Sequence, residues 1–141
     1  MVDANTIASK LDELADLVAR VRSFNPEDAA VLTEDRTARD LVAYNLVLAV
    51  QSCLDIASHL IADEEWGLAT TASESFQILA RHGVITSAMA AVMGKAAGLR
   101  NILVHGYSKA VPARIHIAVT SGLAELERFG DEVAAWVRTH S

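Results

Sequence analysis

The run Arg100-Asn101-Ile102-Leu103-Val104-His105-Gly106-Tyr107 gathers four side chains suited to work on a phosphodiester. Arginine presents a permanently charged planar fork that matches two phosphate oxygens. Histidine titrates near neutral pH and can both take and give a proton. Asparagine orients either partner or the scissile group, and a tyrosine phenol donates to an oxyanion or stacks on a base. No serine or cysteine sits in an elbow or triad pattern, and no His, Asp or Glu cluster has metal-ligand spacing. The residue types point to acid–base chemistry with no cofactor. Taken singly, each residue has a plainer role as a cap, a packed aromatic or a hydrogen-bonded histidine.

Spacing limits how these groups could meet. Arg100 and His105 are five residues apart, which puts them about 140° apart around an unbroken helix. Gly106 suits the left-handed conformation that ends helices. The helix carrying Arg100 is therefore expected to end near Val104 or His105. His105 and Tyr107 would then lie at a chain reversal, free to turn toward Arg100, with Leu103 and Val104 anchoring the turn in the core.

Charge is segregated around this run. The chain of 141 residues has a net charge of −6, which argues against a general nucleic-acid binder. Between Glu74 and Glu125, however, there is no acidic residue. Those fifty positions carry Arg81, Lys95, Arg100, Lys109 and Arg114, a balance of +5, together with His82, His105 and His116. The other 91 residues hold 18 acids against 7 bases, or −11. Such a field can hold an anion on one surface while the whole protein stays acidic. Lys95, Lys109 and Arg114 are the candidates for guiding a phosphate backbone.

The elements that must position these residues read as helices throughout residues 1–141, taken as one domain. Hydrophobic residues make up 52% of the chain and charged residues 21%, enough for a core and too little charge for disorder. No window shows sustained alternation of β-branched and polar residues. The first helix is expected over Asp3–Ser23, with Ile7, Leu11, Leu14, Val18 and Val21 as its stripe. Asn25-Pro26-Glu27-Asp28 reads as a cap and helix start, with a short turn through Val31. A second long helix follows Thr33 and reaches Ala62. It is apolar on several faces, so it lies centrally or pairs with a second subunit. Asp55 and His59 share one of its faces. Thr71-Ala72-Ser73-Glu74 has capping-box spacing and opens a helix to Arg81, ended by Gly83. Thr86 or Ser87 caps the next helix, whose core face is Met89, Val92, Met93, Ala96, Leu99, Leu103 and Val104. Ser108–Pro112 opens the last helix, which runs to Thr139 and is interrupted by Gly122 and Gly130, where close helix contacts are expected. The single Cys53 allows no intramolecular disulfide and reads as packing, in keeping with a cytoplasmic location. The first residues lack a signal-peptide pattern, and the uncharged stretch Leu41–Leu54 is too short to span a bilayer comfortably.

Arg100-x-x-x-x-His105-x-Tyr107, with Asn101 after the arginine, resembles the signature of the HEPN superfamily, and more narrowly its HepT branch, the toxin half of HepT/MntA toxin–antitoxin modules. The likeness extends to Cys53-Leu54-Asp55-Ile56-Ala57-Ser58-His59-Leu60, to Ser75–Ile85 and to Ala97-Gly98-Leu99, and spans roughly Ile7 to Val137. Gly106 departs from the acidic or polar residue often found there. The resemblance implies an all-α fold, an antiparallel bundle of four to five helices forming a homodimer, with paired motifs facing each other across a cleft at the two-fold. It implies metal-independent endoribonuclease activity in a type VII-like toxin–antitoxin system. It also implies a nucleotidyltransferase antitoxin of the MntA kind that transfers AMP to Tyr107.

The expected reaction is attack of a ribose 2′-hydroxyl on the adjacent phosphorus. One His105 is the base, the other His105 or water the acid, Arg100 stabilises the transition state and Asn101 holds the geometry. The alternative is a non-catalytic HEPN-like module that grips a nucleotide or a partner nucleotidyltransferase.

Overall fold

The computed structural model describes residues 1–105 and 111–141. The chain forms α1 (Ala4–Ser23), α2 (Ala29–Glu34), α3 (Arg36–Glu64), α4 (Ala72–Arg81), α5 (Ser87–His105), α6 (Val111–Ile117) and α7 (Leu123–His140), with a π-helical turn, Ala118–Gly122, joining α6 to α7. Among the described residues there is no strand. Four long rods make the bundle: α1, α3, α5 and the run from α6 to α7. The short α2 packs on α3 and α6, and the short α4 on α3 and α5.

Caps fix where the rods begin. Asp3 accepts from the Thr6 amide and starts α1. Asp35 accepts from the Ala38 amide and starts α3, slightly later than Thr33 suggested. Asp28, rather than Asn25, caps the short α2, while Asn25 takes a left-handed turn at φ 52°. The helix therefore begins at Ala29, and Pro26 lies outside it in the turn. At α4, Thr71 Oγ1 accepts from the Glu74 amide at 3.1 Å. The reciprocal half of the expected box is displaced by one residue, since the Glu74 carboxylate accepts from Thr70. Gly83, at φ 77°, ends α4 and lets the Val84 amide reach the Leu79 carbonyl. Thr86 is the cap of α5 and accepts from the Met89 amide.

The core lies between α1, α3, α4, α5 and α7. Ile7, Val18 and Val21 of α1 share one buried cluster with Val42, Ile56 and Leu60 of α3, and the rings of Phe76 and Phe129 meet edge to face at 5.7 Å. A fully buried side chain of this kind contributes about 1.5–3 kcal/mol against exposure. α3 is long and apolar enough to cross a membrane by length and composition, but most of its apolar residues are taken up by this core. Cys53 is among them. Gly130 faces Leu11 and Leu14, but a Cβ there would stand an ordinary 3.6 Å from both, so the contact expected of it does not require glycine. Gly122 meets no neighbouring helix and instead closes the π turn, where the Thr120 and Ser121 hydroxyls both donate to the Ile117 carbonyl. The last helical run thus carries a wider, underwound π turn at its middle, a local feature that helical periodicity does not encode.

Candidate active site

α5 carries the site because its two sides differ. Met89, Met93, Ala97 and Leu103 are buried against the bundle, which turns Arg100 toward the junction with α3, half-buried. The Arg100 guanidinium is held from two directions. Nη1 donates to Gln51 Oε1 at 3.1 Å and Nη2 donates to Asn101 Oδ1 at 2.9 Å. Gln51 Nε2 in turn donates to Asp55 Oδ1 at 3.2 Å. Asn101 thus touches the arginine that it was expected to orient. Asp55 turns toward Gln51, and among the described residues no ion pair joins it to His59. The sequence reading missed Gln51. Its i,i+4 relation to Asp55 on α3 was legible, but its contact with Arg100, 49 positions away, was not.

α5 is helical through His105, the last described residue before 106–110, so the expected helix end at Gly106 lies outside the described residues. Because the backbone is still helical there, the two motif side chains leave the rod about 140° apart. Within one chain the turn of His105 toward Arg100 does not occur, and among the described residues no hydrogen bond joins them. Val104, expected in the core, is 49% exposed. Only Leu103 faces inward at this last turn, since the neighbouring position is rotated by about 100°. Gly106, Tyr107 and Lys109 lie outside the described residues, as does the expected helix opening at Ser108.

Three cations border one groove of about 440 Å³ between α5 and the run from α6 into α7: Lys95, Arg100 and Arg114. Its floor is apolar, with Leu46, Val92, Leu99 and Leu126, and Glu125 is the acid on its lining. Two other histidines of the basic segment have structural work. His82 stacks on Trp66 at 4.1 Å, and His116 Nε2 bonds the Glu27 carbonyl at 2.9 Å. Burial pushes the Cys53 thiol up from its ordinary value, which keeps it protonated and out of nucleophilic chemistry. What remains on this surface is a guanidinium that can grip an anion and an imidazole that can carry a proton.

The ribonuclease HepT-like family matches residues 11–133. An mRNA nuclease HepT of Shewanella oneidensis is 32% identical over 109 residues, 77% of this chain and 81% of that protein. A tRNA nuclease HepT of Aphanizomenon flos-aquae is 27% identical over 94 residues, 67% of this chain and 64% of that protein. Among solved structures, a tri-AMPylated HEPN toxin of Shewanella oneidensis in complex with its MNT antitoxin superposes with a TM-score of 0.86 at 29% identity, over 96% of this chain and 99% of that one. The chain belongs to the ribonuclease HepT-like family.

Proposed function

We propose that the chain is a metal-independent endoribonuclease toxin that cuts RNA by 2′-hydroxyl transesterification in the cytoplasm. The observation that carries this reading is Arg100: its guanidinium is pinned by Gln51 and Asn101 on the rim of a groove it shares with Lys95 and Arg114. A permanently charged fork, pre-oriented beside further cations, suits a phosphate whose charge grows in the transition state.

In the proposed reaction one His105 removes the proton from a ribose 2′-hydroxyl. The oxygen attacks the adjacent phosphorus, Arg100 stabilises the charge on the equatorial oxygens, and a second His105 or water protonates the departing 5′-oxygen. The products are a 2′,3′-cyclic phosphate and a 5′-hydroxyl. DNA lacks the attacking group and is not cut.

The site is completed by a second copy of the chain. Arg100 and His105 diverge on one helix, so a partner's motif facing them supplies what one chain cannot converge. The exposed face of α3 supports this: Tyr44 is 61% exposed and Leu41 41%, two large side chains left uncovered on a helix whose opposite side is core. The HEPN toxin structure named above is AMPylated and bound to its antitoxin. By likeness, the partner of this chain is an MntA-like nucleotidyltransferase that modifies Tyr107. AMP there adds bulk and negative charge, which opposes RNA.

The test is purified protein with labelled RNA in EDTA, beside Arg100→Ala and His105→Ala variants. Cleavage by the wild-type chain alone, yielding cyclic phosphate ends, is expected. A requirement for divalent metal, or cleavage that persists in both variants, overturns the mechanism. RNA binding without cleavage by the wild-type chain favours a non-catalytic module.

A further inference from the structure

We propose that Gln51 is a positioning residue for Arg100 and that Asp55 sets the orientation of its amide; this rests on the ribonuclease reading above. An arginine side chain on a helix has several torsions to fix before its fork has one orientation. Here the fork is fixed by acceptors on its two terminal nitrogens, one on α3 and one on its own helix. Only the oxygen end of the Gln51 amide can accept from arginine. A glutamine exposed on a helix would present either end. Asp55 is acceptor-only when ionised, takes the amide's Nε2 hydrogen, and thereby leaves Oε1 toward Arg100.

The choice of an amide over a carboxylate has a chemical consequence. A glutamate at this position would hold the guanidinium as tightly but would compensate its charge, weakening its pull on phosphate. Glutamine orients the fork and leaves its charge unneutralised. Of the five guanidinium N–H donors, the two engaged ones fix the plane and the others remain for phosphate oxygens. Gln51 does not touch substrate in this arrangement and acts through Arg100.

Three variants, Gln51→Met, Gln51→Glu and Asp55→Asn, separate orientation from charge, and the exposure of Gln51 keeps folding out of the comparison. For Gln51→Met, kcat on RNA is expected to fall about tenfold with KM within about twofold and no change in thermal midpoint, because the charge stays and only its aim is lost. For Gln51→Glu, KM is expected to rise instead, because a neutralised fork binds phosphate poorly. Asp55→Asn is expected to give a smaller fall in kcat than Gln51→Met. A readout independent of cleavage is the ¹⁵N spectrum of the Arg100 Nη groups, expected to show slowed rotation in the wild type and faster rotation in Gln51→Met. Unchanged kcat in Gln51→Met, equal Nη behaviour in both proteins, or a kcat loss matched by a lower thermal midpoint overturns the proposal. If the wild-type chain cuts no RNA, the ribonuclease reading fails, while the Nη comparison still decides whether Gln51 holds Arg100.

Discussion

Arg100 and His105 stand on one uninterrupted helix, so their side chains depart about 140° apart around its axis. Arg100 leans onto α3, and His105 projects from the exposed last turn of α5. A site needing both groups at one phosphorus then draws them from different copies. Co-expressed chains, one carrying Arg100→Ala and the other His105→Ala, are expected to regain RNA cleavage that neither variant shows alone, with each single variant at least about a hundredfold below wild type. Isolated mixed dimers with no activity would show either that both groups act within one chain or that both His105 rings are required.

The groove between α5 and α6 predicts how binding responds to salt. Lys95 and Arg114 border it beside Arg100. If both contact RNA phosphates, replacing either by alanine removes one released counterion and lowers the slope of log affinity against log salt by about 0.7. Filter binding of a non-cleavable 2′-deoxy-substituted strand across a salt series measures this. An unchanged slope in both variants would remove these residues from the RNA path.

Two glycines predict opposite responses to the same substitution. Gly130 sits inside α7, where a methyl group would meet Leu11 and Leu14 at an ordinary 3.6 Å. Gly130→Ala is expected to stabilise the fold by about 0.5–1 kcal/mol, through helix propensity and lower unfolded-state entropy. Gly83 has open space around it but a φ of 77°, so Gly83→Ala is expected to destabilise by about 1 kcal/mol. Thermal midpoints should move up for the first and down for the second. A fall for Gly130→Ala would mean that α1 and α7 are packed too tightly to admit the methyl.

The ion pair between Arg22 on α1 and Glu127 on α7 predicts a pH dependence. Its hydrogen bond holds the Glu127 carboxyl below its ordinary value and raises Arg22. A depressed carboxyl stabilises the fold above its unfolded value and loses that contribution as pH falls through the folded one. Both side chains are 47% exposed, so the pair is worth under about 1 kcal/mol. Glu127→Gln is therefore expected to lower the urea midpoint slightly at neutral pH, with the difference closing as pH falls through the lowered folded value of Glu127. A difference that persisted in acid would trace the effect to packing instead of charge.

Most of the architecture was written in local patterns. The stripe from Ile7 to Val21, the caps at Asp3, Thr71 and Thr86, and the stop at Gly83 each depend on residues within a turn or two of one another, so the helices could be placed from the chain alone. The cations of the acid-free segment and the motif on α5 were legible for the same reason. Three features were not. The π turn at Ala118–Gly122 keeps helical spacing to the eye while changing its hydrogen bonds. The exposure of Val104, one position beyond buried Leu103, depends on which side of α5 meets the bundle. The capture of Arg100 by Gln51 depends on how α3 and α5 pack. Periodicity states which face of a helix is apolar, but not how that helix is rotated and shifted against its neighbours. Only the packing of side chains from distant parts of the chain fixes that, and it is there that Arg100 receives its orientation.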